Sequence, residues 1–194
     1  MSRVVRLATE EDAESILRIY APVVRETPIS FEEVPPGLDE IRDRIQTILR
    51  EKPWIVCESE GALLGYAYAG RFRARAAYQW TAEVTVYVDA AHRGTGVGGT
   101  LYRALFGCLR AQGYRTALAG IALPNAASVA LHERLGFTRI GVFPKVGFKL
   151  GAWHDVGWWR LALAEYDDAP EPPRTLSEMV GDTVWEAALK GDSP

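Results

Sequence analysis

Cysteine, histidine and surplus positive charge are all scarce in this chain of 194 residues, and each shortage closes off a class of protein. Two cysteines, Cys57 and Cys108, are too few for a disulfide framework or a zinc site. Both fall inside apolar stretches and are expected as buried free thiols. The three histidines, His92, His132 and His154, lie far apart, and no His, Cys or carboxylate set has metal-ligand spacing. No metal is therefore expected. The net charge of -3 argues against a general nucleic-acid binder, which would carry a basic excess, but leaves room for a local basic pocket. No apolar run approaches the length of a membrane span. The opening Met1-Ser2-Arg3-Val4-Val5-Arg6 lacks the apolar core of a signal peptide. The expectation is a cytoplasmic protein that binds neither membrane nor nucleic acid.

What is present suits one domain with a full core, since 48% of the residues are apolar. Val4 to Leu7 reads as a strand. Thr9 then caps a helix with Glu10, Glu11 and Asp12 in its first turn and Ala13, Ile16, Leu17, Tyr20, Val23 and Val24 at helical spacing. A proline-rich loop, Pro28 to Gly37, carries one conspicuous apolar residue, Phe31. A second helix is predicted over 39–50, and strands over 54–58 and 63–69 flank a turn at Ser59-Glu60-Gly61. Next come a loop with Arg71, Arg73 and Arg75, a strand over 80–88, a glycine-rich junction and a helix. A strand at 116–123, a short helix at 125–135 closed by Gly136, and strands at 138–146 and 156–163 complete the pattern. The order β-α-α-β-β-β-α-β-α-β-β predicts an α+β, mixed-sheet fold. Composition shifts after Glu165, which divides the chain into a domain over 1–165 and a linker and tail over 166–194, where 176–189 reads either as a small docking helix or as disordered chain.

The most informative segment is Val84-Thr85-Val86-Tyr87-Val88, followed by Arg93-Gly94-Thr95-Gly96-Val97-Gly98-Gly99-Thr100. A strand that runs through a glycine loop into a helix aims unpaired N–H groups and the positive end of the helix dipole at one spot. That is an anion site suited to a pyrophosphate, with Arg93 as an added donor. A triphosphate loop would need a lysine before its Ser or Thr, and none is present. Gly94, Gly96 and Gly99 match dinucleotide spacing. That fingerprint also needs a carboxylate at the end of the next strand, where this chain has Ile121-Ala122-Leu123-Pro124. Coenzyme A needs the same cradle without that acid. Its pantetheine amides could pair with Val86 to Val88 as an added strand would.

Arg93 to Gly98 resembles the R/Q-x-x-G-x-G/A signature of the GNAT acetyltransferase superfamily, and Pro124 to Ser128 with Leu131 to Phe137 resembles its second block. More narrowly, Tyr78 to Val88 and Gly147 to Gly157 are similar to the phosphinothricin N-acetyltransferase group. The resemblance implies a mixed, mostly antiparallel, V-shaped sheet flanked by helices, with acetyl-CoA as cosubstrate. It further implies direct attack of an amine on the thioester, and a homodimer. By matching position it assigns Val86, Tyr87, Val88, Arg93, Gly94, Thr95, Gly96, Val97, Gly98, Gly99 and Asn125 to acetyl-CoA, Glu83 to the base and His132 to the second catalytic residue.

Chemistry gives these residues work to do. An ammonium cannot attack a carbonyl, so a base must take its proton. Glu83 stands among Tyr78, Trp80 and Val84, where partial burial would raise its pKa toward the working range. A surface ladder or a buried ion pair is the other reading of the same residue. His132 could donate or relay a proton, or serve structure alone. Asn125 could cap a helix, bind cofactor, or both. Arg73 and Arg75 directly precede the proposed base, and guanidinium groups grip carboxylate or phosphinate oxygens in pairs. Solvated surface charge is the other reading of these two arginines; in a pocket with Tyr78 and Phe31 they would point to a small anionic, amino-acid-like amine as acceptor. The rival readings are acetylation of peptide N-termini or another amine, a non-enzymatic acetyl-CoA sensor, and a nicotinamide-dependent oxidoreductase.

Overall fold

The computed structural model describes residues 3–191. In chain order the elements are β1 (Val4–Leu7), α1 (Ala13–Glu26), α2 (Leu38–Leu49), β2 (Trp54–Ser59), β3 (Ala62–Arg71), β4 (Thr81–Val88), α3 (Val97–Gln112), β5 (Thr116–Leu123), α4 (Ala126–Arg134), β6 (Thr138–Lys149), β7 (Ala152–Ala162) and α5 (Thr183–Lys190). Up to β7 this is the order read from periodicity. Local chemistry sets several of the boundaries. At the entry to α1, the Thr9 N–H donates to Asp12 Oδ2 at 2.8 Å, a capping box in all but name. Arg6 grips Asp12 and Glu58 together, tying β1 to that entry and to β2. Glu60 and Gly61, both with positive φ, make the tight turn between β2 and β3.

The seven strands form one sheet in the order β1-β2-β3-β4-β5-β7-β6. All neighbours are antiparallel except β4 and β5. Alternation along β2 shows how the sheet is buried on both faces. Ile55 and Cys57 point into a core with Leu101, Leu105 and Leu109 of α3. Trp54 and Val56 point the other way, to Ile16, Val24, Ile41 and Ile45 of α1 and α2. This is the mixed α/β architecture expected. None of the described helices is long and apolar enough to cross a membrane.

The last two strands differ from the sequence reading. Residues 147–155, which lie between the strands predicted at 138–146 and 156–163, belong to a long hairpin in which Gly147 pairs with His154 and Lys149 with Ala152. Leu150 and Gly151, at φ 51° and 77°, form its two-residue turn. The apolar residues of this stretch, Phe148, Leu150 and Trp153, are exposed. They therefore did not carry the inward alternation by which a half-buried strand is read.

The segment after β7 lies against the domain. The Trp80 indole N–H donates to the Glu171 carbonyl, and the Gln112 amide donates to that of Arg174. Beyond them Met179, Trp185 and Ala188 pack around Cys108 on the outer face of α3. Met179 is 0% exposed and its neighbour Val180 is 85% exposed, which makes a matched pair. Met179→Ala is expected to lower stability by about 2–5 kcal/mol in urea unfolding, the usual cost of emptying a buried site. Val180→Ala is expected to stay within about 0.5 kcal/mol.

Candidate active site

The site starts where the sheet divides. β4 and β5 pair only through Thr81, Ala82 and Glu83 with Thr116, Ala117 and Leu118. Beyond that point β4 runs on to Val88 along β3, and β5 runs on to Leu123 along β7. The gap between them is the opening of the V. Antiparallel residues alternate between bonded and non-bonded pairs. The Asp89 N–H donates to the Leu64 carbonyl at 2.9 Å, and the Ala69 N–H turns away to Pro53. With the register of β3 and β4, this places the main chain of Glu83, Thr85 and Tyr87 toward β3. The main-chain groups of Val84, Val86 and Val88 face the gap. Tyr87 instead contributes its ring, set edge-on to Tyr20 at 5.0 Å beneath the cleft floor.

At the outer end of the gap lies the glycine loop. Gly94 and Gly96, at φ 75° and 91°, hold left-handed conformations that a side chain would resist. Gly96 caps α3, so the N–H groups of Val97, Gly98 and Gly99 in the first turn have no partner within the helix. A Cβ at Gly98 would stand 3.1 Å from Leu131, so α4 is packed tightly against the cradle. A cavity of about 550 Å³ spans Val86 to Val88, Arg93, Gly94, Gly96 to Gly99 and Asn125. Thr95 is outside its lining; its hydroxyl donates to the His92 carbonyl and accepts from Arg3. Arg103 and Arg134 also line this cavity. Neither has a role read from the sequence, although Arg134 falls within the Leu131–Phe137 block. The set fits a pyrophosphate: unpaired amides, a helix N-terminus and three guanidinium groups.

The inner end of the gap is a cleft of about 450 Å³, which shares Val86, Tyr87, Asn125 and Ser128 with the outer cavity. Glu83 and His132 both line it, as does Phe31. Glu83 is the last residue to pair with β5, so its carboxyl sits at the fork. Among the described residues it has no ion pair, and burial pushes its pKa above the ordinary 4.5. His132 is only 3% exposed, and burial lowers its pKa. Its Nδ1 lies 2.8 Å from the Ser128 carbonyl, which can only accept, so Nδ1 carries the proton. Nε2 is then an acceptor, and the Tyr102 hydroxyl at 3.0 Å donates to it. Tyr102 lines the cleft as well. It was not foreseen because it falls on the buried stripe of α3 beside Leu101 and Leu105, where an aromatic ring reads as core. The one available signal was a lone hydroxyl among Leu, Ala and Phe. Asn125 caps α4 through its Oδ1, which accepts from the Ser128 N–H at 3.1 Å, and also lines both cavities.

The arginine loop lies elsewhere. Arg73, Arg75 and Tyr78 do not line the cleft, contrary to the sequence reading. Arg73 stacks on Phe72 and Tyr78, at 5.0 and 5.7 Å. Tyr78 borders a separate cavity of about 180 Å³ with Glu51 and Arg174. The residues between β3 and β4 turn outward through a short helical turn at Ala76–Tyr78. The loop nonetheless abuts the cleft wall, since Phe72 packs edge-on against Trp158, a lining residue, at 5.9 Å.

Comparison with known proteins agrees with this geometry. The family model for the acetyltransferase (GNAT) domain matches residues 5–158. A phosphinothricin N-acetyltransferase of Streptomyces viridochromogenes is 40% identical over 89% of this chain and 92% of that protein. An L-methionine sulfoximine/L-methionine sulfone acetyltransferase of Pseudomonas aeruginosa is 38% identical over 88% of this chain and 100% of that protein. The crystal structure of a phosphinothricin acetyltransferase from Sinorhizobium meliloti in complex with AcCoA superimposes with a TM-score of 0.83. It is 37% identical, over 89% of this chain and 94% of that one. The divided sheet, the glycine cradle and these matches together make the chain a member of the GNAT acetyltransferase family, similar within it to the phosphinothricin N-acetyltransferases.

Proposed function

We propose that this protein transfers the acetyl group of acetyl-CoA to the primary amine of a small amino-acid-like acceptor, with Glu83 as the base. One observation carries the reading: a carboxylate that has no ion-pair partner among the described residues stands at the fork of two parting strands, beside main-chain groups of β4 that face the gap and lead to an anion cradle. Acetyl-CoA supplies an acyl thioester. The N–H groups at the start of α3, with Arg93, Arg103 and Arg134, hold its pyrophosphate. Val86 and Val88 offer main-chain groups to its pantetheine amides. Glu83 takes one proton from the acceptor's ammonium, directly or through water, so that the nitrogen lone pair is free to attack the thioester carbonyl. As the carbon–sulfur bond breaks, the second ammonium proton passes to the leaving sulfur, and the proton on Glu83 returns to solvent. His132 fixes the Tyr102 hydroxyl against the cleft and stays neutral while doing so.

The acceptor class follows from the walls. The inner cleft is closed by Phe31, Phe143, Val146, Val156 and Trp158, and among the described residues no lysine or arginine lines it. An amino acid's carboxylate would find its cation at the rim, where the Arg73–Arg75 loop meets the cleft wall through the Phe72–Trp158 contact. Relatives that act on phosphinothricin and on methionine sulfoximine or sulfone fit such a pocket, and these compounds head the list of acceptors to try. A peptide N-terminus would need a longer, open groove. We further infer a homodimer. Phe148, Leu150 and Trp153 form an exposed apolar strip on the β6–β7 hairpin, and a second copy would cover it.

Four outcomes test this reading. Glu83→Gln is expected to lower kcat about 10²-fold or more, measured as thiol release from acetyl-CoA, while acetyl-CoA still binds. An unchanged rate would leave Glu83 without a catalytic role, whereas a wild-type protein that binds acetyl-CoA but releases no thiol with any amine would favour a sensor. Because burial raises the Glu83 pKa and the charged form does the work, wild-type kcat/KM should fall as pH drops through a midpoint above 4.5, and Glu83→Gln should lose that acid limb. Arg75→Ala should raise KM for anionic acceptors and leave that of a neutral amine unchanged. Trp153→Glu should shift the sedimentation coefficient from dimer to monomer.

A further inference from the structure

Lys149 ends β6 and is 6% exposed, an unusual place for an ammonium. Its Nζ donates to the carbonyls of Val24 and Ser30, at 2.6 Å each. Val24 lies in the last turn of α1, and Ser30 in the connection to α2. Taking an ammonium out of water is costly unless the charge is well compensated. The charges of Glu32 and Glu33 add to that compensation. Lys149 thus ties two segments more than a hundred residues apart in sequence.

The tied connection matters because it supplies Ile29, Ser30 and Phe31 to the inner cleft. Ser30 is held from its other side by the Tyr20 hydroxyl at 2.7 Å. Phe31 rests on Gly147, two residues before Lys149 on the same strand. A Cβ built at Gly147 would stand 2.1 Å from Phe31 Cε2 and 2.5 Å from Cζ, closer than real carbon atoms approach. The backbone of Gly147 is not left-handed, so its conformation does not demand glycine. What the missing side chain provides is a seat for the ring.

We propose that Lys149 and Gly147 set the acceptor specificity of the enzyme by fixing how Phe31 sits over the cleft. Lys149 anchors the loop and Gly147 receives the ring. Lys149 is a positioning residue: its ammonium is spent on the two carbonyls and acts on the acceptor through Phe31. The inference rests on the acetyl-transfer reading given above.

The test uses Lys149→Met, which keeps the aliphatic stem and removes the donors, and Gly147→Ala, which pushes the ring from its seat. Each is made alone and together with Phe31→Ala. Thiol release is followed over amino-acid acceptors of graded side-chain size, and KM is read separately for acceptor and for acetyl-CoA. Each single variant is expected to raise the KM of the best acceptor about tenfold and leave that of acetyl-CoA within about twofold, a coupling ordinary for residues in contact. In the Phe31→Ala background both substitutions should lose their effect, and Lys149→Arg should recover part of the loss. An unchanged acceptor KM would overturn the proposal. So would the same penalty with and without the Phe31 ring, or an equal loss for both substrates accompanied by a lower Tm. A crystal structure of Lys149→Met reads the anchor without turnover: Phe31 leaves Gly147 if the inference holds and stays if it does not. If the wild-type protein releases no thiol with any amine, the acetyl-transfer reading is what fails, and that structure still decides whether the anchor exists.

Discussion

The structure turns on one unfinished pairing. β4 and β5 bond for three residues and then part, each staying with its other neighbour. Buried main-chain groups need partners, so a parted pair of strands would be a defect in an ordinary sheet. Here it leaves the main chain of Val86 facing the bottom of a wedge, with the Val88 carbonyl beyond it accepting from Arg93 Nε at 3.4 Å. The carboxyl at the apex and the glycine loop at the mouth are then set by the same divergence. A shift in where the strands separate would move Glu83 relative to both.

Charge is distributed along that wedge in one direction. Among the described residues, three guanidinium groups and a helix N-terminus gather at the outer end, and no lysine or arginine lines the inner end. The proposed cofactor orientation, phosphates outward, follows this distribution. The inner end is kept uncharged apart from Glu83. His132 contributes to this: its desolvation lowers its pKa, and the Ser128 carbonyl fixes which nitrogen holds the proton. In such surroundings a carboxylate is a stronger base than it would be in water.

Much of this was legible before any coordinates, and the parts that were share a cause. Gly94 and Gly96 stand out because only glycine is at ease at their φ angles, and Thr9 and Asn125 because capping is a local act. Glu83 gained meaning from its place just ahead of the loop. What stayed hidden depended on distance along the chain or on a misleading face. Tyr102 shares its helical stripe with leucines, and its partner His132 is thirty residues on. The β6–β7 hairpin carries its apolar residues outward, against the rule by which strands are read. Arg73 and Arg75 were read as pocket residues from their proximity in sequence to Glu83, but a short helical turn at Ala76–Tyr78 intervenes, and the loop meets the cleft wall only through Phe72.

The C-terminal segment covers the outer face of α3, the helix whose first turn forms the cradle. Beneath it Cys108 is sealed among Met179, Trp185 and Ala188, and burial pushes its thiol up to about 12. A thiol-directed reagent, which needs a thiolate it can reach, finds neither while that cover is seated. The rate at which Cys108 is labelled is thus a built-in gauge of how often the tail lifts from the helix that shapes the anion cradle.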